Sequence, residues 1–256
     1  MFEVFKIWKH QGKQYIPDLT KPVLPASFFG RPEISSKPCK EGCSSCKDVC
    51  PTQAIKLDPM TLDFGKCVLC NECTRICTEE KIIFTSDYKT ATNERSRLII
   101  KEGEKHPITI NEALVRKEIR SFFGRSLKLR QVSAGGDNSC EWELGATGNP
   151  NFDFGRFGID FVASPRHADG IVITGPITEN MSEALQICYD AIPAPKIIIL
   201  VGVDAISGGI FENSAALNRT FLEKYTVDLF VPGNPPHPLT FINGVMEMIK
   251  LKKGLF

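Results

Sequence analysis

The chain has 256 residues, 42% of them hydrophobic, which is enough to bury a sizeable core in one or two domains. Its 31 Lys and Arg residues nearly balance its 30 Asp and Glu residues, and a net charge of +1 argues against nucleic acid as a partner. Apolar runs such as 196–202 are far shorter than the roughly 20 residues that span a bilayer, and the N-terminus lacks the pattern of a cleaved signal. We therefore expect a chain that is neither secreted nor membrane-spanning.

Cysteine spacing is the strongest pattern in the sequence. Of ten cysteines, eight lie in two runs: Cys39-x3-Cys43-x2-Cys46-x3-Cys50-Pro51 and Cys67-x2-Cys70-x2-Cys73-x3-Cys77. Thiols in a chain without an export signal are more often metal ligands than disulfides, because the cytosol keeps them reduced. Thiolates two residues apart on a tight loop can hold three irons of one cubane. The runs therefore predict two [4Fe-4S] clusters.

The fourth ligand of each cluster follows from the pattern of two-cluster ferredoxins, in which the last cysteine of each run binds the other cluster. One predicted set is thus Cys39, Cys43, Cys46 and Cys77, and the other is Cys67, Cys70, Cys73 and Cys50. The first run opens with three intervening residues instead of two, and Thr78 stands where a proline usually follows. A pair of zinc sites is the alternative interpretation.

Two short apolar stretches, 53–57 and 81–84, follow the cysteine runs and predict small strands. We place a two-cluster α+β ferredoxin domain at residues 1–105, with a boundary after the polar segment 91–97. Residues 108–130 predict a basic helical connector. It would either dock on an acidic partner or lipid headgroups, or be an ordinary amphipathic helix with a solvated face.

Residues 106–256 alternate strand and helix patterns, which predicts a doubly wound α/β domain. The expected strands lie near Leu127–Val132, Ile159–Ala163, Gly170–Thr174, Lys196–Val201 and Val227–Val231, and the expected helices near Asn180–Ala191 and Leu239–Leu251. Loops at the carboxyl ends of such strands form the functional crevice. Their glycines and prolines would let the backbone approach another group closely.

Motifs in these loops carry a family resemblance. They include Gly135-Gly-Asp-Asn-Ser-Cys-Glu-Trp-Glu143, Arg156-Phe-Gly158, Ala163-Ser-Pro-Arg-His-Ala-Asp169, Ser207-Gly-Gly-Ile-Phe211 and Val231-Pro-Gly-Asn-Pro-Pro236. Residues 125–250 thereby resemble the small subunit of energy-converting nickel-iron hydrogenases and formate hydrogenlyase, and the homologous 20 kDa-type subunit of complex I. The N-terminal part, with Phe29-Gly-Arg-Pro-Glu33, resembles the ferredoxin subunit of the same complexes. The resemblance implies a flavodoxin-like α/β domain and a fusion of two subunits.

The resemblance also exposes a departure. The family binds a proximal [4Fe-4S] cluster through four cysteines, whereas here Cys140 is accompanied by Asp137, Asp204 and Asn234 at the other positions. One thiolate with three oxygen-bearing side chains does not suit a cubane, so we expect the proximal cluster to be absent. The pocket would either bind a different ion through Asp137, Asp204 and Cys140, or be empty or water-filled and held by hydrogen bonds among the same side chains.

Three further residues match family positions. Glu143 corresponds to a glutamate thought to pass protons, or is only a carboxylate favoured by a helix N-terminus. Arg166 and His167 match a family motif at the large-subunit interface, where they would serve either the structure of that interface or proton-transfer chemistry.

The resemblance implies an electron-transfer subunit without an independent catalytic site. It would be docked on a hydrogenase-type or complex I-type large subunit and on membrane subunits, at the cytoplasmic face of the cell membrane, and would exchange electrons with a separate donor and acceptor. The alternatives are a scaffold or coupling subunit of a divergent hydrogenase-related complex, and a stand-alone low-potential ferredoxin.

Overall fold

The computed structural model describes residues 2–12 and 14–250. Its helices are α1 Phe2–Gln11, α2 Ser45–Asp48, α3 Glu72–Ile76, α4 Lys117–Phe123, α5 Ser139–Ala146, α6 Glu179–Asp190, α7 Val203–Ser207, α8 Thr220–Lys224 and α9 Pro238–Ile249. Its strands are β1 Pro32–Ile34, β2 Ile55–Leu57, β3 Met60–Asp63, β4 Ile82–Phe84, β5 Ile99–Lys101, β6 Leu127–Ser133, β7 Ile159–Phe161, β8 Gly170–Thr174, β9 Ile197–Val201 and β10 Leu229–Val231. In the described residues we find no helix that is both long and apolar enough to cross a bilayer.

The C-terminal half is built on a parallel five-stranded sheet in the order β10-β9-β8-β6-β7. Numbered within this sheet, the strands run 5-4-3-1-2, which is the flavodoxin-like order. All residues of β8 and β9 are buried, as expected of Val- and Ile-rich parallel strands covered on both faces. The predicted α/β doubly wound architecture is confirmed.

The two faces of the sheet are covered by different parts of the chain. Ile171, Ile173 and Leu200 point to the face that packs against the cysteine-bearing N-terminal half and α6. Val172 and Ile199 point to the opposite face, which is covered mainly by α4 and α9. Because both faces are apolar, the sheet needs the N-terminal half as one of its covers.

The N-terminal half repeats one unit, strand, short helix, strand, twice. The first unit is β1, α2 and β2, and the second is β3, α3 and β4. β1 pairs antiparallel with β4, β2 pairs antiparallel with β3, and β5 extends the second pair. The two short strands expected after the cysteine runs are present as β2 and β4.

Packing crosses the domain boundary expected near residue 105. Leu19, Tyr88 and Ala91 lie in the core formed with α9 and the sheet. The amide of Asn243 donates to the carbonyl of Leu19 at 2.8 Å, and a backbone bridge joins Thr92 to Phe230. The division at residue 105 therefore stays a prediction, and both halves share one contiguous body.

The predicted helical connector at 108–130 is wrong in extent. Its α-helix covers only Lys117–Phe123, after a 3-10 turn at Glu112–Leu114, and β6 already begins at Leu127, where an apolar alternation takes over. One of its cations is already paired: the Arg116 guanidinium donates to both carboxylate oxygens of the buried Asp228 at 2.8 and 2.9 Å. The predicted helix near Leu239–Leu251 corresponds to Pro238–Ile249, and Leu251 lies outside the described residues.

The contact between Ala91 and Gly244 of α9 can be tested by adding one methyl group. A Cβ on Gly244 would lie 2.4 Å from the Cβ of Ala91, so Gly244→Ala should lower the free energy of unfolding by about 1–3 kcal/mol through overpacking. Gly145→Ala is the matched control, because a Cβ there meets no atom within 4 Å. We expect the control to match or exceed wild-type stability by up to about 1 kcal/mol, from helix propensity. Thermal unfolding of the two variants measures the difference, and equal stabilities would contradict the packing.

Candidate functional site

The eight predicted cluster cysteines lie in two groups of local structure that repeat each other. The third cysteine of each run, Cys46 or Cys73, is buried on a short helix, α2 or α3. The fourth accepts a hydrogen bond from a backbone N–H four residues later, Ala54 to Cys50 at 3.2 Å and Lys81 to Cys77 at 3.4 Å. Both runs thus present their thiols in the same local setting.

Two residues with positive φ make this geometry possible. Gln53 and Glu80, each three residues after the last cysteine of its run, have φ of 51° and 49°. The left-handed backbone costs free energy in residues other than Gly, so it indicates a turn that the surrounding structure enforces. No sequence pattern indicates these turns, because neither position is Gly, Asn or Asp.

The first group joins the start of one run to the end of the other. Burial raises the pKa of the Cys46 thiol, and the neighbouring thiols of Cys39, Cys77 and Cys43 raise it further. Cys77, from the second run, is therefore a close electrostatic neighbour of Cys46. Cys39 and Cys43 are exposed to solvent.

The second group is more deeply buried. Burial raises the pKa of Cys67 to about 12, with further contributions from Cys73, Cys50 and Cys70. Burial likewise raises the pKa of Cys73 to about 11, again with Cys50 and Cys70 as neighbours. Four thiols of this group, those of Cys50, Cys67, Cys70 and Cys73, line a narrow pocket whose other walls are largely apolar, among them Ile55, Leu62 and Phe84. Buried thiols of such high pKa ionise only if a cation compensates the charge.

The fit of these residues to a cubane depends on donor chemistry. Among the residues that the structure describes, no three or more His, Cys, Asp or Glu side chains are arranged to hold a single metal ion. A single ion needs ligand atoms around one point at about 2.3 Å, whereas a cubane takes each thiolate on a different iron. Two sets of four thiols, each drawn from both runs, are donors that suit the second case.

The second candidate pocket lies at the carboxyl edge of the parallel sheet, near the point where strand order reverses between β6 and β8. The loop after β6 carries Asp137, α5 carries Cys140, and α7, after β9, carries Asp204. Burial raises the pKa of Cys140 to about 12, with Glu141, Asp204 and Asp137 as charged neighbours. Asn234 is exposed in the loop after β10.

Two glycines, Gly202 and Gly209, pack directly against side chains of this pocket. A Cβ on Gly202 would lie 2.5 Å from the Sγ of Cys140, and a Cβ on Gly209 would lie 1.9 Å from Oδ1 of Asp204. The loops after β6 and β8 touch each other, since a Cβ on Gly175 would lie 2.4 Å from the nitrogen of Gly136. The close approach expected of these glycines is therefore to neighbouring protein atoms.

Two side chains that sequence reasoning did not assign complete the pocket. Thr174 donates to Oε1 of Glu141 at 2.6 Å. The half-buried guanidinium of Arg219 donates to carbonyls of the adjacent loop and of α7: Pro176 at 3.0 Å, Asp204 at 3.2 Å, Ala205 at 2.8 Å and Ile206 at 3.0 Å. No local motif marks Arg219, because its partners are backbone oxygens distant in sequence.

The remaining predicted residues are more open. Glu143 is half-buried on α5, and burial raises its pKa. Arg166 and His167 are exposed in a short 3-10 turn, Pro165–His167. Large apolar side chains are exposed at the carboxyl edge as well: Trp142 by 75%, Ile210 by 61% and Phe211 by 46%.

Comparison with known proteins identifies the C-terminal half. The family model described as NADH ubiquinone oxidoreductase, 20 Kd subunit, matches residues 138–248. A probable membrane-bound hydrogenase subunit, mbhJ of Pyrococcus furiosus, is 37% identical over 141 residues, which cover 54% of this chain and 84% of that subunit. The chain belongs to the NADH ubiquinone oxidoreductase 20 kDa subunit family.

Two other relatives are matched over a smaller share of their own length. A subunit of the NADH-quinone oxidoreductase of Geotalea daltonii is 40% identical over 43% of this chain and 64% of its own length. Formate hydrogenlyase subunit 7 of Escherichia coli is 36% identical over 54% of this chain and 55% of its own length. The family match includes Cys140, Glu143 and Asp204, whereas both cysteine runs lie before it.

Replacing each of the two aspartates of the pocket by asparagine should change the free energy of unfolding in opposite directions. Burial, with Asp137 nearby, raises the pKa of Asp204 in the folded state above its ordinary 3.8. Between the ordinary pKa and the raised pKa, Asp204 is protonated in the folded state but mostly ionised in the unfolded state. The free energy of unfolding falls as pH rises through that window, and the loss persists at neutral pH. Asp204→Asn should therefore be more stable than wild type at neutral pH, and the difference should vanish below about pH 3.8.

Asp137→Asn is the matched control with the opposite sign. Two hydrogen bonds from Ser139, at 2.6 and 2.9 Å, lower the pKa of Asp137, so its ionised form stabilises the fold. We expect this variant to be less stable than wild type at neutral pH. Unfolding curves across pH measure both effects, and a shared sign would contradict the assigned environments.

Proposed function

We propose that the chain is the iron-sulfur electron-transfer subunit of a membrane-associated oxidoreductase complex of the hydrogenase or complex I type. The observation that carries the proposal is that each set of neighbouring thiols contains one cysteine from the other run. Cys77 lies with the first three cysteines and Cys50 with the later three, as in two-cluster ferredoxins. Membership of the 20 kDa subunit family supports the type of complex.

In this proposal, Cys39, Cys43, Cys46 and Cys77 hold one [4Fe-4S] cluster, and Cys67, Cys70, Cys73 and Cys50 hold the other. Bound clusters would supply single-electron storage at low potential. The protein positions the thiolates, surrounds the second set with apolar side chains, and donates N–H groups of Ala54 and Lys81 to two of the sulfurs. Hydrogen bonds to sulfur and burial are the means by which a protein tunes cluster potential.

The pocket at the sheet edge does not fit the family's proximal cluster. Its donors are one thiol, two carboxylates and an exposed amide, and backbone of Gly202 and Gly209 packs directly on the thiol and on one carboxylate. Iron in ordinary cubane sites is held by cysteine sulfur. We therefore assign electron transfer to the N-terminal thiols alone and propose a structural role for Cys140.

Docking on a large subunit is the second part of the proposal. Trp142, Ile210 and Phe211 expose apolar surface at the carboxyl edge of the sheet, where Arg166 and His167 also belong by family position. Membrane subunits of the same complex would hold the assembly at the cytoplasmic side of the membrane. A scaffold role within a divergent complex remains the alternative that the loss of proximal cysteines favours.

Iron content tests the cluster assignment. Anaerobically reconstituted full-length protein should bind about eight irons per chain, rather than about twelve, on the stoichiometry of two cubanes. Cys70→Ser should lower the iron content and alter the electron paramagnetic spectrum, because a hydroxyl is a poor ligand for iron in place of thiolate.

Cys140→Ser and Cys188→Ser are the matched controls, since both cysteines lie outside the two runs. Both should keep about eight irons. Iron loss in Cys140→Ser, or about twelve irons in wild type, would assign a cluster to the sheet edge, and unchanged iron in Cys70→Ser would overturn the N-terminal assignment.

Affinity purification tests the assembly. The tagged protein from its own cells should co-elute with a large-subunit homologue and membrane proteins. Trp142→Glu should abolish that co-elution by placing a charge in an apolar interface, whereas Ile187→Glu, on a side chain exposed by 62% on α6, should not. A wild-type chain that elutes as a monomer would contradict the complex-subunit proposal.

A further inference from the structure

Helix α1 has no cover within the described chain. Each of its residues, Phe2–Gln11, is exposed. Its large apolar side chains are exposed by 55–84%: Phe2, Val4, Phe5, Ile7 and Trp8. An isolated helix of about ten residues is marginal in water, so this helix gains stability only from a surface that covers its apolar side.

The apolar side chains form one continuous face. Phe2 and Phe5, Val4 and Ile7, and Phe5 and Trp8 are each three residues apart, and Val4 and Trp8 are four apart, so neighbours share a side of the helix. At 3.6 residues per turn this face takes more than half of the circumference. Glu3, Lys6 and His10 form the narrow polar side, with Lys6 paired to Glu3 at 2.8 Å.

Charge favours an anionic surface. The helix carries three basic side chains, Lys6, Lys9 and His10, against Glu3 as its acidic residue. Lys9 lies between Phe5 and Phe2, close to one edge of the apolar face, and its long stem can reach the headgroups while the ring of Trp8 lies at the interface. A helix seated in a protein groove uses a narrower row of anchors.

The attachment of α1 suits a surface element. The helix ends at Gln11, and Gly12 follows it with a φ of +60° and no atom within 4 Å of where a Cβ would be. Four residues later the N–H of Ile16 donates to the carbonyl of Asn151 at 2.8 Å, and Leu19 is buried in the core. A short link therefore ties the exposed helix to the α/β body.

We propose that α1 binds directly to an anionic phospholipid bilayer, lying in the interface plane with its apolar face down. This contact goes beyond attachment through membrane subunits and does not depend on the iron-sulfur assignment, because α1 contains none of the cysteines.

Vesicle co-flotation of the full-length protein tests the proposal. The protein should bind vesicles that contain phosphatidylglycerol more tightly than pure phosphatidylcholine vesicles, and added salt should weaken the binding. The double variant Phe5→Glu/Trp8→Glu should bind at least about tenfold more weakly, because two of the apolar contacts are replaced by charges that repel the headgroups.

Phe122→Glu/Ile187→Glu is the matched control, because it places the same charges on side chains of α4 and α6 that are exposed by 66% and 62%. It should bind like wild type. The proposal is overturned if wild type floats with neither vesicle, if the α1 variant binds as tightly as the control, or if α1 supports only self-association or capture of a protein. Failure would leave the iron content and co-elution untouched, so the two proposals are separable.

Discussion

Burial of a parallel sheet on both faces is the constraint on which the rest of this structure depends. β8 and β9 are buried at every position, so neither face can be left in water. One face is covered by α4 and α9, and the other by α6 together with the cysteine-bearing half. The N-terminal thiols are therefore fixed relative to the sheet by core packing. Lys66, which precedes Cys67, adds an ion pair to Glu212 in the loop that follows α7.

The carboxyl edge of the sheet is held together by close backbone packing and by hydrogen bonds. The glycines that bring the loops together are present, and Cys140 is in place on α5. Thr174 donates a hydrogen bond to Glu141, and Arg219 donates to four carbonyls of α7 and the adjoining loop. These side chains have partners from neighbouring loops, because leaving a buried polar group unpaired would cost free energy.

Sequence periodicity predicted the α/β half well. The strand at Gly170–Thr174 has the bounds expected, and β9 begins one residue later than expected, because continuous Ile and Val runs leave little choice of structure. The 108–130 segment was predicted poorly, because its amphipathic pattern merges a short helix with the start of β6 across Gly124. Cysteine spacing predicted two sets of four thiols, but it could not reveal the left-handed turns at Gln53 and Glu80 or the hydrogen bonds of Arg219. These depend on tertiary contacts rather than on local pattern.

Leu19, Tyr88 and Ala91 belong to the N-terminal half but lie in the core formed by α9 and the sheet. This packing limits how such a chain can evolve. A two-part protein is often treated as a pair of exchangeable modules, joined by a linker that tolerates recombination. Here a segment before the first cysteine run and another after the second lie against α9, with Ala91 in contact with Gly244. If the cysteine-bearing half were exchanged for another, those positions of the α/β half would be uncovered unless the replacement carried both segments. The two parts therefore have to diversify together, and chimeras should be cut outside 19–91 rather than at the midpoint of the chain.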